Sequence, residues 1–208
     1  MVPIVAGVAG ILLTGGASRR MGFDKAMLEV GGVPNAVRLA RLLEEVAAPA
    51  VEVGPGCSGL AHVRERPAGS GPLAALCAGA DGLCRAGHRG PVLVLACDLP
   101  FIDAGTLKVL AGWPGRGSVV PRAGGRAQPL CARWSEADLE VARELVEAGE
   151  RSMKALLVRS GPELVEETFW PSGVAVRLFS DLDTPEDLDQ PEVRSIAGQV
   201  NCRRRFPS

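Results

Sequence analysis

Short, uninterrupted apolar segments alternate along the chain with longer segments in which apolar residues recur every three or four positions. The runs at 10–14 and 91–97 contain almost no polar residue, which is typical of strands buried on both faces of a parallel sheet. The segments 34–48 and 135–148 have helical spacing instead, and Ser135 carries a hydroxyl suited to a helix N-cap. The pattern predicts strands at 10–14, 50–53, 61–64, 91–97, 118–121, 128–132, 163–168 and 174–179, and helices at 34–48, 72–87, 106–113, 135–148, 152–159 and from Thr184 onward.

Alternating strands and helices over most of the chain imply an α/β fold with a mostly parallel sheet that helices cover on both faces. Sheets of this kind bind ligands beyond the carboxyl ends of their strands. Three such ends carry residues with suggestive chemistry, namely the segment from Gly15 to Lys25, the residues near Glu65, and Asp98. The strand before Asp98 is apolar on both faces, and we therefore expect it to lie near the centre of the sheet.

The composition is that of one folded domain of 208 residues, with 47% hydrophobic and 23% charged residues. The net charge of -1 argues against a chain-wide basic surface for nucleic acid or anionic lipid. The apolar stretch at 2–14 is broken by Gly7 and Gly10 and is too short to span a membrane, and basic residues follow it, unlike the order in a secretory signal. We expect a cytoplasmic protein without nucleic-acid or membrane partners, whose six cysteines are reduced.

A glycine-rich, basic segment follows the first predicted strand. Between Leu13 and Lys25 the chain carries three glycines, which let backbone N–H groups approach a ligand, together with Arg19 and Arg20. Such a segment suits a triphosphate, although a glycine-rich turn with solvated arginines has the same composition. It lacks the Gly-Lys-Ser/Thr of a P-loop ATPase and the Gly-x-Gly-x-x-Gly of a dinucleotide oxidoreductase, so neither class is favoured.

This segment and several others resemble one known family. The stretch LTGGASRRMGFDKAML is similar to the Leu-x-Gly-Gly-x-Ser-x-Arg-Met-Gly-x-Asp-Lys signature of the molybdenum cofactor guanylyltransferases, the MobA-like nucleotidyltransferases. The resemblance spans about 11–188 and implies a Rossmann-like three-layer α/β/α sandwich of the nucleotide-diphospho-sugar transferase type. We assign 1–190 to this domain and 191–208 to a basic C-terminal tail. Further blocks similar to family motifs follow in the family's order: Gly71-Pro72-Leu73-Ala74, Ala96-Cys97-Asp98-Leu99-Pro100-Phe101, Gln128-Pro129-Leu130, Gly149-Glu150-Arg151-Ser152 and the stretch from Phe179 to Leu188.

The resemblance implies which residues act on the nucleotide. Lys25 would stabilise charge on the phosphates with help from Arg19, and Asp98 would hold Mg²⁺ at the end of the central strand. An aspartate in such a place is also a common turn or capping residue. Asp183, where the family often has Asn, is the second candidate magnesium ligand. The residues expected to bind the nucleotide are Leu13, Thr14, Gly15, Gly16, Lys25, Glu65 and Asp98.

Glu65 is the candidate for recognising the base. Guanine presents two adjacent donors, N1–H and its 2-amino group, and a carboxylate accepts both. The family has an aspartate shortly before the Gly-Pro-Leu turn, and Glu65 occupies that place with a side chain one methylene longer. Its alternative role is a surface ion pair with Arg64 or Arg66. Thr14-Gly15-Gly16, where related cytidylyltransferases usually have Ala-Ala-Gly, also favours guanine.

The implied reaction is nucleotidyl transfer, in which the terminal phosphate of molybdopterin attacks the α-phosphorus of GTP and pyrophosphate leaves. The attacking phosphate is already an anion, so that positioning and charge neutralisation suffice. Arg122, Arg126 and the Gln128-Pro129 segment either contact the acceptor or form an exposed loop. We expect the finished cofactor to pass to molybdoenzyme apoproteins by transient contact.

Two other interpretations stay open at this point. A cytidylyltransferase of the same cofactor, or a related nucleotidyltransferase with another acceptor, would share the glycine-rich segment and the carboxylates. A non-catalytic nucleotide-binding carrier or regulator would keep the fold without turnover, although the presence of Lys25 and Asp98 argues against it.

Overall fold

The structure, a computed structural model, describes residues 4–15, 29–30, 32–170 and 174–180. The strands are β1 Ala9–Leu13, β2 Glu29–Val30, β3 Val33–Pro34, β4 Ala50–Val53, β5 Ala61–Val63, β6 Val92–Ala96, β7 Val119–Ala123, β8 Arg126–Ala127, β9 Cys131–Trp134 and β10 Glu163–Val165. The helices are α1 Asn35–Glu44, α2 Pro72–Arg85, α3 Ala104–Ala111, α4 Glu136–Glu147, α5 Met153–Ser160 and α6 Val174–Leu178, with a 3-10 turn at Glu167–Phe169.

One sheet organises the fold. Its strands lie in the order β5-β4-β1-β6-β9-β7-β10, with β8 paired to β7 alone, and β2 and β3 form a separate small hairpin. Strands β5, β4, β1 and β6 are parallel, whereas β9 is antiparallel to both of its neighbours. The expected mostly parallel sheet is therefore confirmed, and the strand predicted at 91–97 lies near its centre as β6.

Apolar side chains alternate between two cores, one on each face of the sheet. On β1, Ile11 and Leu13 belong to the core that α2, α4 and α5 cover, whereas Leu12 belongs to the core that α1 and α3 cover. Successive side chains of a strand point to opposite faces, so a strand between two helical layers needs apolar residues at every position. The helices cover both faces, and the ligand site is therefore expected at the strand ends.

Some of the predicted limits of strands and helices agree closely with the structure. The strand at 50–53 has the predicted limits, and the helix predicted at 135–148 is α4. Its N-cap is Ser135 as expected, because the Ser135 hydroxyl accepts a hydrogen bond from the Asp138 N–H at 3.2 Å.

Three predicted strands are wrong in whole or in part. The strand predicted at 163–168 ends at Val165, and a 3-10 turn follows at Glu167–Phe169. The segment 174–179 is not a strand, because Val174–Leu178 is helical and its end places Leu178 and Phe179 in a core. A short apolar run fits either structure, and packing decides between them. The strand predicted at 128–132 begins only at Cys131, whose N–H donates to the Gln128 carbonyl at 3.0 Å across a turn.

The predicted helix at Thr184 and the basic tail lie outside the described residues. In the part of the chain that the structure describes, no helix is both long and apolar enough to cross a membrane.

Candidate functional site

The candidate site lies where the parallel strands β5, β4, β1 and β6 end. Leu13, the last residue of β1, is in register with Val53 at the end of β4 and with Ala96 at the end of β6. The residues that follow these three, which include Thr14 and Asp98, therefore share one edge of the sheet. The sheet thus brings together segments that the sequence pattern identified separately.

The start of the glycine-rich segment is held against β4. The backbone N–H groups of Thr14 and Gly15 both donate to the Val53 carbonyl oxygen, each at 3.1 Å. Leu13 and Thr14 are buried, whereas Gly15 is exposed at the rim of the sheet. Four further predicted site residues lie outside the described residues: Gly16, Arg19, Lys25 and Asp183.

A buried carboxylate on β4 lies directly behind this segment. Glu52 has an exposed fraction of 0%, and its carboxylate accepts hydrogen bonds from the hydroxyls of Thr14 and Ser58, both at 2.5 Å. The backbone N–H groups of Gly56, Cys57 and Ser58 also donate to it, at 2.7, 3.1 and 2.8 Å. Burial raises the pKa of Glu52, but these hydrogen bonds outweigh burial and lower its pKa to about 2. Glu52 is therefore an anion at neutral pH.

Asp98 faces a cavity of about 300 Å³ at the end of β6. Burial and the nearby charge of Asp98 raise the pKa of the Cys131 thiol, which also borders the cavity. A thiol with a raised pKa stays protonated, so Cys131 is unsuited to act as a nucleophile. The polar residues that line this cavity are Asp98, Arg126 and Gln128, and its apolar lining includes Leu99, Met153 and Phe179.

Two residues of α1 hold the loop that carries Asp98. The Asn35 amide donates to the Cys97 carbonyl oxygen at 2.8 Å. The Arg38 guanidinium donates to three carbonyl oxygens of the loop 99–102, at 2.8 to 3.2 Å. Burial lowers the pKa of Arg38 to about 10, which leaves it charged at neutral pH. These contacts fix the backbone on both sides of Asp98.

Asp98 suits Mg²⁺ as a single carboxylate ligand. Mg²⁺ in nucleotide sites is bound by one or two carboxylates, with phosphate oxygens and water completing the octahedron. Within the described ranges, no group of three or more His, Cys, Asp or Glu side chains could hold a metal ion. A single carboxylate such as Asp98 fits a cation that the phosphate oxygens of a bound ligand also coordinate.

Glu65 lies at the same edge of the sheet as Asp98 but is well separated from it. It follows β5, whereas Asp98 follows β6, and three strand spacings amount to about 14 Å. The Glu65 carboxylate accepts a hydrogen bond from the Gly69 N–H at 3.0 Å. The alternative ion pairs with Arg64 and Arg66 do not form among the residues that the structure describes.

The candidate acceptor residues fall into two groups. Arg126, Gln128 and Pro129 line the cavity that Asp98 faces. Arg122 forms an ion pair with Glu166 instead, with 3.3 Å between its Nη1 and the carboxylate oxygen. The turn between β8 and β9 is therefore the part of this region that borders the site.

The sequence pattern did not identify Glu52, Asn35 or Arg38. A signal for Glu52 was present, because it is the one charged residue of an otherwise apolar strand, Ala50–Val53. No comparable signal marks Arg38, because an arginine on an amphipathic helix is usually solvated.

Comparison with known proteins shows which family the chain is similar to. Residues 10–164 match the model of the MobA-like NTP transferase domain family. A probable molybdenum cofactor guanylyltransferase of Pelotomaculum thermopropionicum is 35% identical over 192 residues, which cover 86% of this chain and 89% of the relative. The molybdenum cofactor guanylyltransferase of Rhodobacter capsulatus is 33% identical over 193 residues, which cover 90% of this chain and 96% of the relative.

A solved structure shows the same fold. The crystal structure of molybdopterin-guanine dinucleotide biosynthesis protein A from Archaeoglobus fulgidus aligns with a TM-score of 0.70 at 20% identity. The alignment covers 92% of this chain and 99% of that chain. The Rossmann-like α/β fold expected from the sequence is thereby confirmed.

Proposed function

Because the chain belongs to the MobA-like NTP transferase domain family, we propose that it is a molybdenum cofactor guanylyltransferase, which transfers GMP from GTP to the terminal phosphate of molybdopterin and releases pyrophosphate. One observation carries this proposal. The glycine-rich segment begins at the end of β1, and Asp98 follows the end of the neighbouring strand β6, where it faces a cavity. A nucleotide and a second phosphorylated substrate can meet at such an edge.

The nucleotide extends along the strand ends in this proposal. Leu13, Thr14 and Gly15 begin the segment that surrounds the phosphates, while Glu65 accepts the N1–H and 2-amino groups of guanine. The hydrogen bond from Gly69 orients the Glu65 carboxylate and leaves lone pairs for the base. The separation of about 14 Å between the ends of β5 and β6 gives room for an extended nucleoside triphosphate.

Positive charge near the phosphates comes from Lys25 and Arg19, and Gly16 lets the backbone approach them. These assignments rest on the sequence pattern. Asp98 is the proposed ligand of Mg²⁺, with Asp183 as a second ligand. When bound, Mg²⁺ neutralises phosphate charge and assists the leaving group.

The acceptor occupies the Asp98 cavity in this proposal. An anionic oxygen of the molybdopterin phosphate forms a new bond to the α-phosphorus of GTP. The bond between the α-phosphorus and the oxygen bridging to the β-phosphate breaks, and its electron pair leaves with pyrophosphate. Arg126 attracts the acceptor phosphate, while Met153 and Phe179 supply apolar surface for its ring system.

The remaining parts of the proposal concern the cell. The protein acts in the cytoplasm and passes the finished cofactor to molybdoenzyme apoproteins through transient contacts.

Pyrophosphate release tests the activity directly. The purified protein is incubated with molybdopterin, Mg²⁺ and either GTP or CTP. We expect release with GTP and little with CTP. Release with CTP alone would indicate a cytidylyltransferase and contradict the role of Glu65. Binding of GTP without release would favour the non-catalytic carrier.

The variant Asp98→Asn tests the metal carboxylate at almost constant shape. We expect kcat to fall by about 100-fold or more, because charge stabilisation at the phosphates is lost. Asp103→Asn is the matched control. The Asp103 carboxylate caps α3 by accepting from the Thr106 N–H at 2.7 Å, and Asn caps equally well. Equal losses in the two variants would contradict a specific role of Asp98.

A further inference from the structure

Glu52 is a charged side chain inside the sheet that the proposed reaction does not use. It lies on β4 between β1 and β5, flanked by Val51 and Val53, and none of its surface is exposed. Burying a carboxylate costs free energy, and well-packed apolar residues often replace buried charges without loss of stability. A carboxylate kept at the ligand-binding end of a strand therefore points to a role at the site.

The two oxygens of this carboxylate connect two loops. Oε1 accepts from the Thr14 hydroxyl and from the N–H groups of Gly56 and Cys57. Oε2 accepts from the N–H and the hydroxyl of Ser58. One anion thus joins the first residue of the glycine-rich segment to the turn that follows β4.

Close packing reinforces this connection. A Cβ atom placed on Gly54 would lie 2.0 Å from the Thr14 hydroxyl oxygen and 2.9 Å from the Gly15 nitrogen. Gly54, in the turn after β4, is therefore packed directly against Thr14 and Gly15, with no room for a side chain between them. The Thr14 side chain is buried on the Glu52 side, whereas Gly15, the next residue, is exposed at the rim of the sheet.

We propose that Glu52 is a positioning residue for the nucleotide phosphates, acting through the Thr14 hydroxyl on the backbone of Thr14 and Gly15, where the glycine-rich segment begins. The inference rests on the proposed function only in requiring that a nucleoside triphosphate bind at this segment. Backbone N–H groups contribute to phosphate binding only when they are held in the correct orientation. Loss of the Thr14 link should therefore weaken binding of the phosphates and leave binding of the nucleoside unchanged.

The experiment compares Thr14→Ala with the wild type by calorimetric titration of GTP and by competition with guanosine. We expect the Kd for GTP to rise about tenfold, which is the effect of losing about one hydrogen bond between the backbone and a charged phosphate. The Kd for guanosine should change by less than twofold. Thr14→Ser restores the hydroxyl and should recover most of the affinity for GTP. If the protein binds CTP and not GTP, the same comparison is made with CTP in place of GTP and cytidine in place of guanosine.

Ser118→Ala is the matched control at the opposite end of the sheet. Ser118 is likewise buried, and its hydroxyl likewise donates to a carboxylate, that of Asp138. We expect this variant to lose a similar amount of thermal stability without losing affinity for GTP. An equal loss of GTP affinity in Ser118→Ala, or a parallel loss of GTP and guanosine in Thr14→Ala, would overturn the positioning role.

Two results separate this inference from the proposed function. Thr14→Ala with wild-type affinity for GTP overturns the inference and leaves the guanylyltransferase proposal standing. Wild-type protein that binds neither nucleoside triphosphate overturns both. Glu52→Gln gives a second check, because an amide can accept at only one of the two atoms. It should lose at least as much GTP affinity as Thr14→Ala.

Discussion

The ionisation of Glu52 links the stability of the fold to pH. The pKa of Glu52 is about 2 in the folded protein, against an ordinary value of 4.5, so folding favours the ionised form. Stabilisation from this carboxylate is therefore fully present above about pH 4.5 and is lost as the pH falls towards 2. An amide at this position does not titrate, and a Glu52→Gln variant lacks this contribution at every pH.

We expect Glu52→Gln to be less stable than the wild type at pH 7, because its amide NH₂ group faces hydrogen-bond donors. The difference in unfolding free energy should become smaller between about pH 4.5 and pH 2.5, where the wild type takes up a proton on unfolding. Urea unfolding monitored by circular dichroism at several pH values measures this difference. A difference that does not vary with pH would contradict the low pKa of Glu52.

A site residue could be predicted from the sequence only where its neighbours along the chain indicate its role. Asp98 follows an apolar strand directly, and the carboxyl end of such a strand is a known place for ligands. Arg38 holds carbonyl oxygens of the loop 99–102, at least 61 positions away along the chain. Its partners exist only once α1 packs against the sheet, so no local pattern could indicate them.

The approach of α2 to the sheet depends on a glycine. A Cβ atom on Gly79 would lie 2.8 Å from Ile11 Cγ2 and 3.0 Å from Val53 Cγ2. Alanine favours a helix over glycine by about 1 kcal/mol, but overpacking a core costs about 1–3 kcal/mol. We expect Gly79→Ala to lower the free energy of unfolding by up to about 2 kcal/mol, measured by urea unfolding.

Gly82→Ala on the same helix is the comparison. A Cβ atom there would lie 3.0 Å from Val63 Cγ1, and Val63 belongs to the edge strand β5 and is only half-buried. Because Val63 can move towards solvent, we expect this variant to be as stable as the wild type or more stable. Equal destabilisation by the two substitutions would contradict a specific packing role of Gly79.

Strands and helices with a clear pattern of apolar residues were predicted well, whereas those whose structure depends on tertiary packing were not. The apolar run that became β6 fits a strand buried on both faces, and the alternatives are few. The run at 174–179 fits a strand equally well, but Val174–Leu178 is helical. Leu178 and Phe179 are buried in the same core as Trp170, and the Phe179 ring contacts the Trp170 ring. The two-residue strands β2, β3 and β8 are too short to leave a period in the sequence.

The proposed site also makes a prediction for the molecule as a whole. The strand ends at the site belong to the central sheet, so a ligand that bridges them should bind the folded state and not the unfolded chain. A ligand at 100 times its Kd stabilises a protein by about 2.7 kcal/mol. For a domain of this size that corresponds to a rise in Tm of about 5–10 °C. We expect GTP with Mg²⁺ to produce such a rise, measured by scanning calorimetry.

Removal of the metal should divide this rise into two parts. With EDTA, the contacts of GTP with the backbone and with Glu65 remain, and we expect a smaller rise than with Mg²⁺. In Asp98→Asn one of the two proposed metal ligands is lost, so the difference between the rises with Mg²⁺ and with EDTA should become much smaller, while Asp103→Asn behaves like the wild type. A full Mg²⁺-dependent rise in Asp98→Asn would show that the cation is held elsewhere, and Asp183 would then be the first residue to substitute.

A rise in Tm with CTP but not with GTP would contradict guanine recognition by Glu65. It would leave the assignment of Asp98 as a metal ligand unchanged, because the phosphates of the two nucleotides are identical.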